Sequence, residues 1–373
     1  MAKIESITAR EVLDSRGNPT VEAEVHVTGG VSGVAKVPSG ASNGSHEAHE
    51  LRDKDEKRYR GKGVLQAVKN IKTDIHAALL GKDTANQSKI DRILIELDGT
   101  ADKSRLGANA LLAASMACAR AEAAAQGLPL YLYLQQLFPK REAVLPVPQM
   151  NLINGGQHAS NGLSIQEYHV LPIGSPSFEE ALRMGVEIYY ALRELLLAEG
   201  FQVEIADEGG FAPKLDKSET VFTFLVRAIE TAGYTPGVDA FLGIDAAANE
   251  FYDAEQKQYN LDGSILSPND LAYQYKVWRE RYPLISLEDP FAEDAWDTWK
   301  HFTESNGQAV QIVGDDLYAT NSSRIREGIF NSATNAVLIK PNQVGTLTET
   351  LQAALIALES KQNIVISHRS GET

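Results

Sequence analysis

The sequence contains a single cysteine, Cys118, among 373 residues. One thiol excludes a disulfide within the chain and is typical of a protein in a reducing compartment. Cys118 lies in an alanine-rich helical pattern, where a buried thiol packs like a small apolar side chain. We therefore assign it no chemistry and expect a cytoplasmic protein.

An excess of basic residues is also absent. The chain carries 35 Lys and Arg against 50 Asp and Glu, which gives a formal net charge of −15 and a pI of about 5.1. Nucleic acids and anionic membranes attract basic surfaces, so we predict neither as a partner. An anionic substrate would have to be held by local lysines, arginines or a bound metal.

Long apolar runs are missing as well. No stretch approaches the roughly 20 apolar residues of a membrane span, and the N-terminal MAKIESITAR lacks the apolar core of a secretory signal. The hydrophobic content is nevertheless 43%. A chain of this length and content suits a barrel with a second domain.

The first 140 residues predict a small α+β domain. Alternating apolar and polar residues predict an antiparallel meander over 4–13, 21–27 and 31–37. Helical spacing follows over 64–80, 84–97 and 108–126. The charged stretch 140–142 marks the predicted boundary, which gives an N-terminal domain over 1–140 and a barrel domain over 141–373 that carries the active site.

The segment 39–45, SGASNGS, contains two glycines and four serine or asparagine side chains and cannot form a strand. It is either an ordinary flexible loop or a mobile lid, whose small residues allow its backbone to approach an anion or a metal. We expect it to be mobile without ligand and to close on binding.

Short apolar runs in the second domain repeatedly end in residues that can do chemistry. Such runs are typical of buried parallel strands. The residues at their ends are Asp245 after 241–244, Glu288 and Asp289 after 284–287, Asp315 and Asp316 after 310–313 and Gly314, Lys340 after 336–339, and Ser367, His368 and Arg369 after 363–366. One acid after a strand is often only a helix cap. Five such ends in succession favour an active site at the rim of a (β/α) barrel.

Asp245, Glu288 and Asp315 offer oxygen ligands only, which favours Mg²⁺ over zinc or copper. Three acids without a cation would repel one another. Lys340 is either an ion-pair partner of these acids or a general base. As a base it needs a pKa below the usual value of about 10.4.

The sequence also carries motifs that closely resemble the enolase family, the phosphopyruvate hydratases. They cover nearly the whole chain in the family's order and spacing. They are DSRGNPT from Asp14, SGAS from Ser39, INGGQHASN from Ile153, QEY from Gln166, DEGGFAP from Asp207, GIDAAANEFY from Gly243, SLEDPF from Ser286, GDDL from Gly314, LIKPNQVGTLTET from Leu338 and SHRSGET from Ser367.

This resemblance implies an α/β fold: an enolase-type variant of the (β/α)₈ TIM barrel, with an antiparallel second strand, preceded by a small α+β domain. It also implies residue roles. Those for metal binding are Asp245, Glu288 and Asp315 at one Mg²⁺ and Ser42 at a second Mg²⁺ that arrives with substrate. Those for catalysis are Lys340 as base and Glu208 as acid, with Glu167 in support. Those for substrate binding are Gln166, His158, Glu167, Lys340 and His368, with Arg369 and Ser370 at the phosphate.

The implied reaction is the reversible dehydration of 2-phosphoglycerate to phosphoenolpyruvate in glycolysis, through a C2 carbanion. The resemblance further implies a homodimer or a higher homo-oligomer. Two alternatives stay open. One is another carboxylate-enolising enzyme, such as a racemase or cycloisomerase, whose substrates lack phosphate. The other is a catalytically inactive scaffold, because we expect the last barrel strand and its substrate-contacting lysine to be missing after Thr373.

Overall fold

A computed structural model describes residues 2–40, 44–138, 143–206 and 208–370. The chain divides into two compact units. One comprises Met1–Ala143, Tyr318–Arg326 and Leu338–Thr373, and the other comprises Val144–Leu317 and Glu327–Val337. The predicted boundary at 140–142 lies outside the described residues, and the division into 1–140 and 141–373 stays a prediction. Among the described residues, no helix is both long and apolar enough to cross a membrane.

The first unit begins with the predicted antiparallel meander. Its strands are β1 (Ile4–Leu13), β2 (Pro19–Val27) and β3 (Val31–Lys36). The helices that follow are α1 (Leu65–Asn70), α2 (His76–Leu79), α3 (Gln87–Asp98), α4 (Ala108–Ala125) and α5 (Leu130–Leu137). The helix predicted over 64–80 is interrupted by a π-helical segment, Ile71–Ile75.

Helix α4 packs directly on the meander because its buried side chains are mostly alanine. The contact is closest at Gly33 of β3, where an added Cβ would lie 2.1 Å from the backbone N of Ala121. Only glycine fits there. The small residues of both elements therefore bring a helix and a sheet into backbone contact.

A seven-stranded sheet contains the strand ends predicted to carry the site. The remaining strands of the chain are β4 (Met150–Asn154), β5 (Glu167–Leu171), β6 (Phe241–Asp245), β7 (Tyr252–Asp253), β8 (Gln258–Leu261), β9 (Ser264–Leu266), β10 (Leu284–Glu288), β11 (Gln311–Gly314), β12 (Ala336–Ile339) and β13 (Asn363–Ile366). The order in the large sheet is β13-β12-β11-β10-β6-β5-β4. Strands β6, β10, β11 and β12 pair in parallel, whereas β5 pairs antiparallel with both neighbours.

From β5 onward, helices lie between successive strands of the large sheet, as in a barrel. They are α6 (Phe178–Ala198), α7 (Ser218–Thr231), α8 (Pro268–Arg281), α9 (Trp296–Asn306), α10 (Ser322–Asn331), α11 (Pro341–Val344) and α12 (Leu347–Glu359). This mixed α/β fold with its antiparallel β5 confirms the predicted enolase-type variant. The parallel crossovers place the carboxyl ends of β6, β10 and β11 at one edge of the sheet.

The apolar runs 146–153 and 203–206 each predict a strand, and the structure differs at both. Strand β4 begins at Met150 rather than at residue 146. The described segment 203–206 is not a strand, and its Ile205 forms only an isolated bridge with Phe211. The three-stranded sheet β7-β8-β9 was not predicted. Apolar runs show which residues can be buried, but a strand also needs a pairing partner, which a local pattern does not reveal.

Candidate active site

The predicted metal-binding acids occupy neighbouring strand ends in the second unit. Asp245 is the last residue of β6 and Glu288 the last of β10, and the parallel register sets them opposite each other. Glu288 is also opposite Val313 of β11, and Asp315 follows that strand after Gly314. All three acids are at most 7% exposed. The sheet thus brings their backbones together, while their convergence on one ion stays a prediction.

Asp289 and Asp316 also lie at this edge, and the sequence pattern gave neither of them a role. Oxygens of Asp289, Asp315 and Asp316 lie within 4.8 Å of one another, so this group could hold a metal. The carboxylate of Asp289 accepts the backbone N–H of Asp315 at 2.9 Å and of Asp316 at 2.7 Å. Burial and the charges of the neighbouring acids raise the pKa of Asp289 well above its usual value. The sequence signal for these two acids was the acid pairs at 288–289 and 315–316.

Gln166, which was predicted to bind substrate, contacts the predicted metal ligand Asp245. Its Nε2 donates to Oδ2 of Asp245 at 3.0 Å, and the backbone N–H of Ala247 donates to Oδ1 at 2.9 Å. These two hydrogen bonds engage both oxygens of Asp245. Such contacts orient a ligand and commonly matter for metal affinity.

Glu167 begins β5 and lies between two histidines. Its Oε1 is 3.2 Å from Nδ1 of His158, and its Oε2 is 2.8 Å from Nε2 of His169. The other ring nitrogen of His169 is 2.7 Å from Nε2 of Gln149. His169 was not predicted as a site residue. Its position two residues after Glu167 on the same strand face was the available signal.

The ionisation of this group follows from its contacts. Burial favours the neutral form of Glu167, but the hydrogen bonds with His158 and His169 outweigh it and lower the pKa of Glu167. Burial also opposes the charge on His158, but the hydrogen bond to Glu167 and the charges of Glu167 and Glu208 raise its pKa. The group therefore pairs an ionised Glu167 with a histidine that is more readily protonated than usual.

Glu208, the predicted acid, belongs to the same group. One ligand atom from each of His158, Glu167 and Glu208 lies within 4.8 Å of the others. The structure therefore brings together three of the predicted site residues. The preceding Asp207 of the same motif lies outside the described residues.

This arrangement predicts a specific pH dependence of stability. A Glu with a lowered pKa stabilises the fold above pH 4.5, and this stabilisation is lost as the pH falls through the pKa of the folded state. A His with a raised pKa stabilises the fold below pH 6.5, and this stabilisation is lost as the pH rises through the pKa of the folded state. In buffer with EDTA, we expect Glu167→Gln to reduce the free energy of unfolding by about 1–3 kcal/mol at about pH 5–6. The loss should shrink at about pH 9.

Urea titrations at the two pH values test this expectation. Glu280→Gln is the matched control, because the Glu280 side chain is 59% exposed in its pair with Lys276. An effect of Glu167→Gln that is the same at both pH values would contradict the assigned ionisation states.

Lys340, the predicted base, lies in the first unit directly after β12. Its backbone N–H donates to Oγ1 of Thr320 at 2.9 Å, and Oγ1 of Thr320 donates to Oε1 of Gln343 at 2.7 Å. Pro341 begins helix α11 immediately afterwards. These contacts hold the backbone of Lys340. Neither Thr320 nor Gln343 was predicted, because their link to Lys340 depends on the tertiary structure.

The predicted phosphate-site residues follow β13 in the same unit. Nη1 of Arg369 is 3.4 Å from Oγ of Ser367, while its Nε is buried and has no partner among the residues described. The Oγ of Ser370 accepts the backbone N–H of Ser39 at 3.1 Å. His368 lies beside Arg369 in the chain. Ser42 lies outside the described residues, so its role as a ligand of the second metal stays a prediction.

The sheet with acids at its strand ends defines an α/β-barrel protein with a candidate metal site built from oxygen ligands. Residues 142–373 match the family described as enolase, C-terminal TIM barrel domain. Residues 4–134 match the enolase N-terminal domain. The chain belongs to the enolase family, which supports a lyase of the enolase superfamily. Proteins of this family bind Mg²⁺, in agreement with the acidic cluster.

Proposed function

We propose that this protein catalyses the Mg²⁺-dependent, reversible dehydration of 2-phosphoglycerate to phosphoenolpyruvate in glycolysis. The observation that carries the proposal is the match to both enolase domains in a chain that retains the acidic residues at the strand ends and the group His158, Glu167 and Glu208. We also propose that the protein is cytoplasmic and that it forms a homodimer or a higher homo-oligomer. Light scattering would test the oligomeric state.

The residues at the strand ends suit Mg²⁺. The donor set is all oxygen. Burial, and after it the charges of the neighbouring acids, raise the pKa of Asp289, and a cation would relieve the repulsion among these acids. Asp245, Glu288 and Asp315 would hold one ion, and Ser42 would contribute to a second. When bound, the ions supply positive charge that stabilises an anionic substrate during reaction.

Lys340 is the proposed base for the C2 proton, with its backbone held by Thr320. A Lys or His base with Mg²⁺ is an established pattern of the enolase superfamily rather than a result of this geometry. Glu208 is the proposed acid, because hydroxide is a poor leaving group and needs a proton. In this role Glu208 donates the proton as the C3–O bond breaks.

His158 and Glu167 form a charge-assisted pair beside Glu208. The hydrogen bond of 3.2 Å between them keeps the Glu167 carboxylate oriented. A second hydrogen bond, from His169, holds its other oxygen. The proposed role of this pair is to position Glu208 and the substrate hydroxyl on C3. Gln166 orients Asp245 through its side-chain amide.

A phosphate-bearing substrate distinguishes this proposal from a racemase or cycloisomerase. Arg369 has a buried Nε without a partner among the described residues, and an unsatisfied buried donor is costly. A phosphate oxygen is a suitable acceptor for a guanidinium. We therefore place the phosphate at Arg369 and Ser370, with His368 beside the substrate.

The direct test is the ultraviolet absorbance of phosphoenolpyruvate formed from 2-phosphoglycerate. With Mg²⁺ we expect a rise in absorbance that EDTA abolishes and that added Mg²⁺ restores. The scaffold interpretation predicts no rise under any of these conditions. Activity that persists in EDTA would contradict the proposed dependence on a metal.

A further inference from the structure

Arg16, in the loop after β1, contacts the backbone of Ser39 and Gly40. Nη2 of Arg16 lies 3.0 Å from the carbonyl oxygen of Ser39, 2.9 Å from that of Gly40 and 3.3 Å from Oγ of Ser39. Donation to acceptors on two successive residues fixes their backbone as well as one side chain. Arg16 thus holds the segment from which Ser39 contacts Ser370.

Asp14 completes this contact from the same loop. Its Oδ1 accepts the backbone N–H of Arg16 at 2.9 Å and of Asn18 at 2.8 Å. The hydroxyl of Ser39 donates to its Oδ2 at 3.3 Å. The Asp14 side chain is fully buried.

Asp14 is ionised in this setting. Burial by itself favours the neutral carboxyl, but hydrogen bonds from the backbone of Asn18, the hydroxyl of Ser370 and the backbone of Arg16 outweigh it. The pKa of Asp14 therefore lies below its usual value. The buried carboxylate can accept hydrogen bonds from both serine hydroxyls and so sets their orientation.

Ser370 is held from two sides. Its Oγ accepts the backbone N–H of Ser39 at 3.1 Å and lies 3.2 Å from Oγ of Ser39. Its carbonyl oxygen accepts the backbone N–H of Ser15 at 3.1 Å. Both the side chain and the main chain of Ser370 are thus positioned by residues that Asp14 and Arg16 hold.

A carboxylate beside a phosphate-binding serine would repel an incoming phosphate. Nη2 of Arg16 lies 3.8 Å from Oδ2 of Asp14 and offsets its charge. We propose that Asp14 and Arg16 are positioning residues for the phosphate of the substrate: together they hold Ser39 and Ser370 in place, and Arg16 also neutralises Asp14. This inference rests on the proposed function, because it takes Ser370 as a phosphate contact.

The test compares Arg16→Gln, Arg16→Lys and the double variant Asp14→Asn/Arg16→Gln. For Arg16→Gln we expect KM for 2-phosphoglycerate and the inhibition constant for inorganic phosphate to rise about tenfold, the scale of one lost charged hydrogen bond. The kcat value should change much less. Arg16→Lys should recover part of the loss, because it retains the charge.

The double variant separates a charge effect from a structural one. Asn can still accept the two backbone N–H groups at Oδ1, and its Nδ2 can donate to the serine hydroxyls instead of accepting from them. The loop is then held without the negative charge, so adding Asp14→Asn should lower KM relative to Arg16→Gln alone. A purely structural role predicts a further increase in KM. Arg10→Gln on β1 is the control, because the side chain of Arg10 is 71% exposed and pairs with Glu22.

A wild-type KM in Arg16→Gln, or a higher KM in the double variant, would overturn the inference. If Arg16→Gln does not fold, the KM of Arg16→Lys is compared with that of the wild type instead. An unchanged KM in Arg16→Lys would then contradict the inference.

If the wild type does not turn over 2-phosphoglycerate, the proposed function fails. Calorimetric binding of inorganic phosphate to the same variants then tests the positioning role separately, and equal binding by wild type and Arg16→Gln, or none by either, would refute it.

Discussion

Replacing Lys340 with alanine should abolish exchange of the C2 proton of 2-phosphoglycerate with solvent. The proposed first step is removal of that proton, and alanine has no group that can accept it. Glu208→Gln should stop turnover yet leave the exchange largely intact, because an acid is needed only when hydroxide leaves from C3. Each change should reduce turnover by a factor on the order of 10²–10⁴, the usual scale for a positioned acid or base.

Proton NMR in D₂O would follow the exchange, and phosphoenolpyruvate absorbance would follow turnover. Lys300→Ala is the matched control, because Lys300 is an exposed residue of helix α9. Binding of Mg²⁺ should survive both active-site changes, since neither residue is a proposed ligand. If Glu208→Gln loses exchange as completely as Lys340→Ala does, the two roles are wrongly assigned.

Asp289→Asn should weaken Mg²⁺ binding by about 10–100-fold, although Asp289 is not one of the predicted ligands. Its two oxygens accept the backbone N–H groups of Asp315 and Asp316, and so they orient the segment that carries a predicted ligand. Groups that orient metal ligands typically affect affinity on this scale. Asparagine can accept only one of the two N–H groups, so the other loses its partner.

The Mg²⁺ concentration at half-maximal activity measures this effect, with Asp297→Asn in the exposed first turn of α9 as the control. An unchanged Mg²⁺ requirement in a folded Asp289→Asn protein would show that this backbone contact does not support the metal site.

The strand ends of the barrel were predictable because two local signals coincide there. Buried parallel strands require short apolar runs, and the carboxyl ends of such strands meet at one edge. Asp245 and Glu288 are accordingly register partners in the structure. The same reasoning gave Asp289 no role, since its contacts depend on a turn in which its φ is +41°. Local patterns carry little information about such a conformation.

The antiparallel direction of β5 could not be predicted from local residue patterns. An alternating or apolar run has the same appearance in either strand direction, so only the resemblance to a family implied it. The pairing sets Glu167 opposite Asp245. His169 lies on the same face because it is two residues further along β5, and its ring nitrogen reaches the carboxylate of Glu167.

The amino-acid sequence by itself determined the apolar runs, the acids that end them and the acidic overall charge, because these depend on composition and on spacing along the chain. Tertiary structure alone decided which distant groups meet. Ser39 and Ser370 are 331 positions apart, yet they share hydrogen bonds beside Asp14 and Arg16. Such contacts arise when buried polar groups must find partners in a packed interior. Several residues of suitable chemistry could satisfy each group, and only the packed fold selects among them.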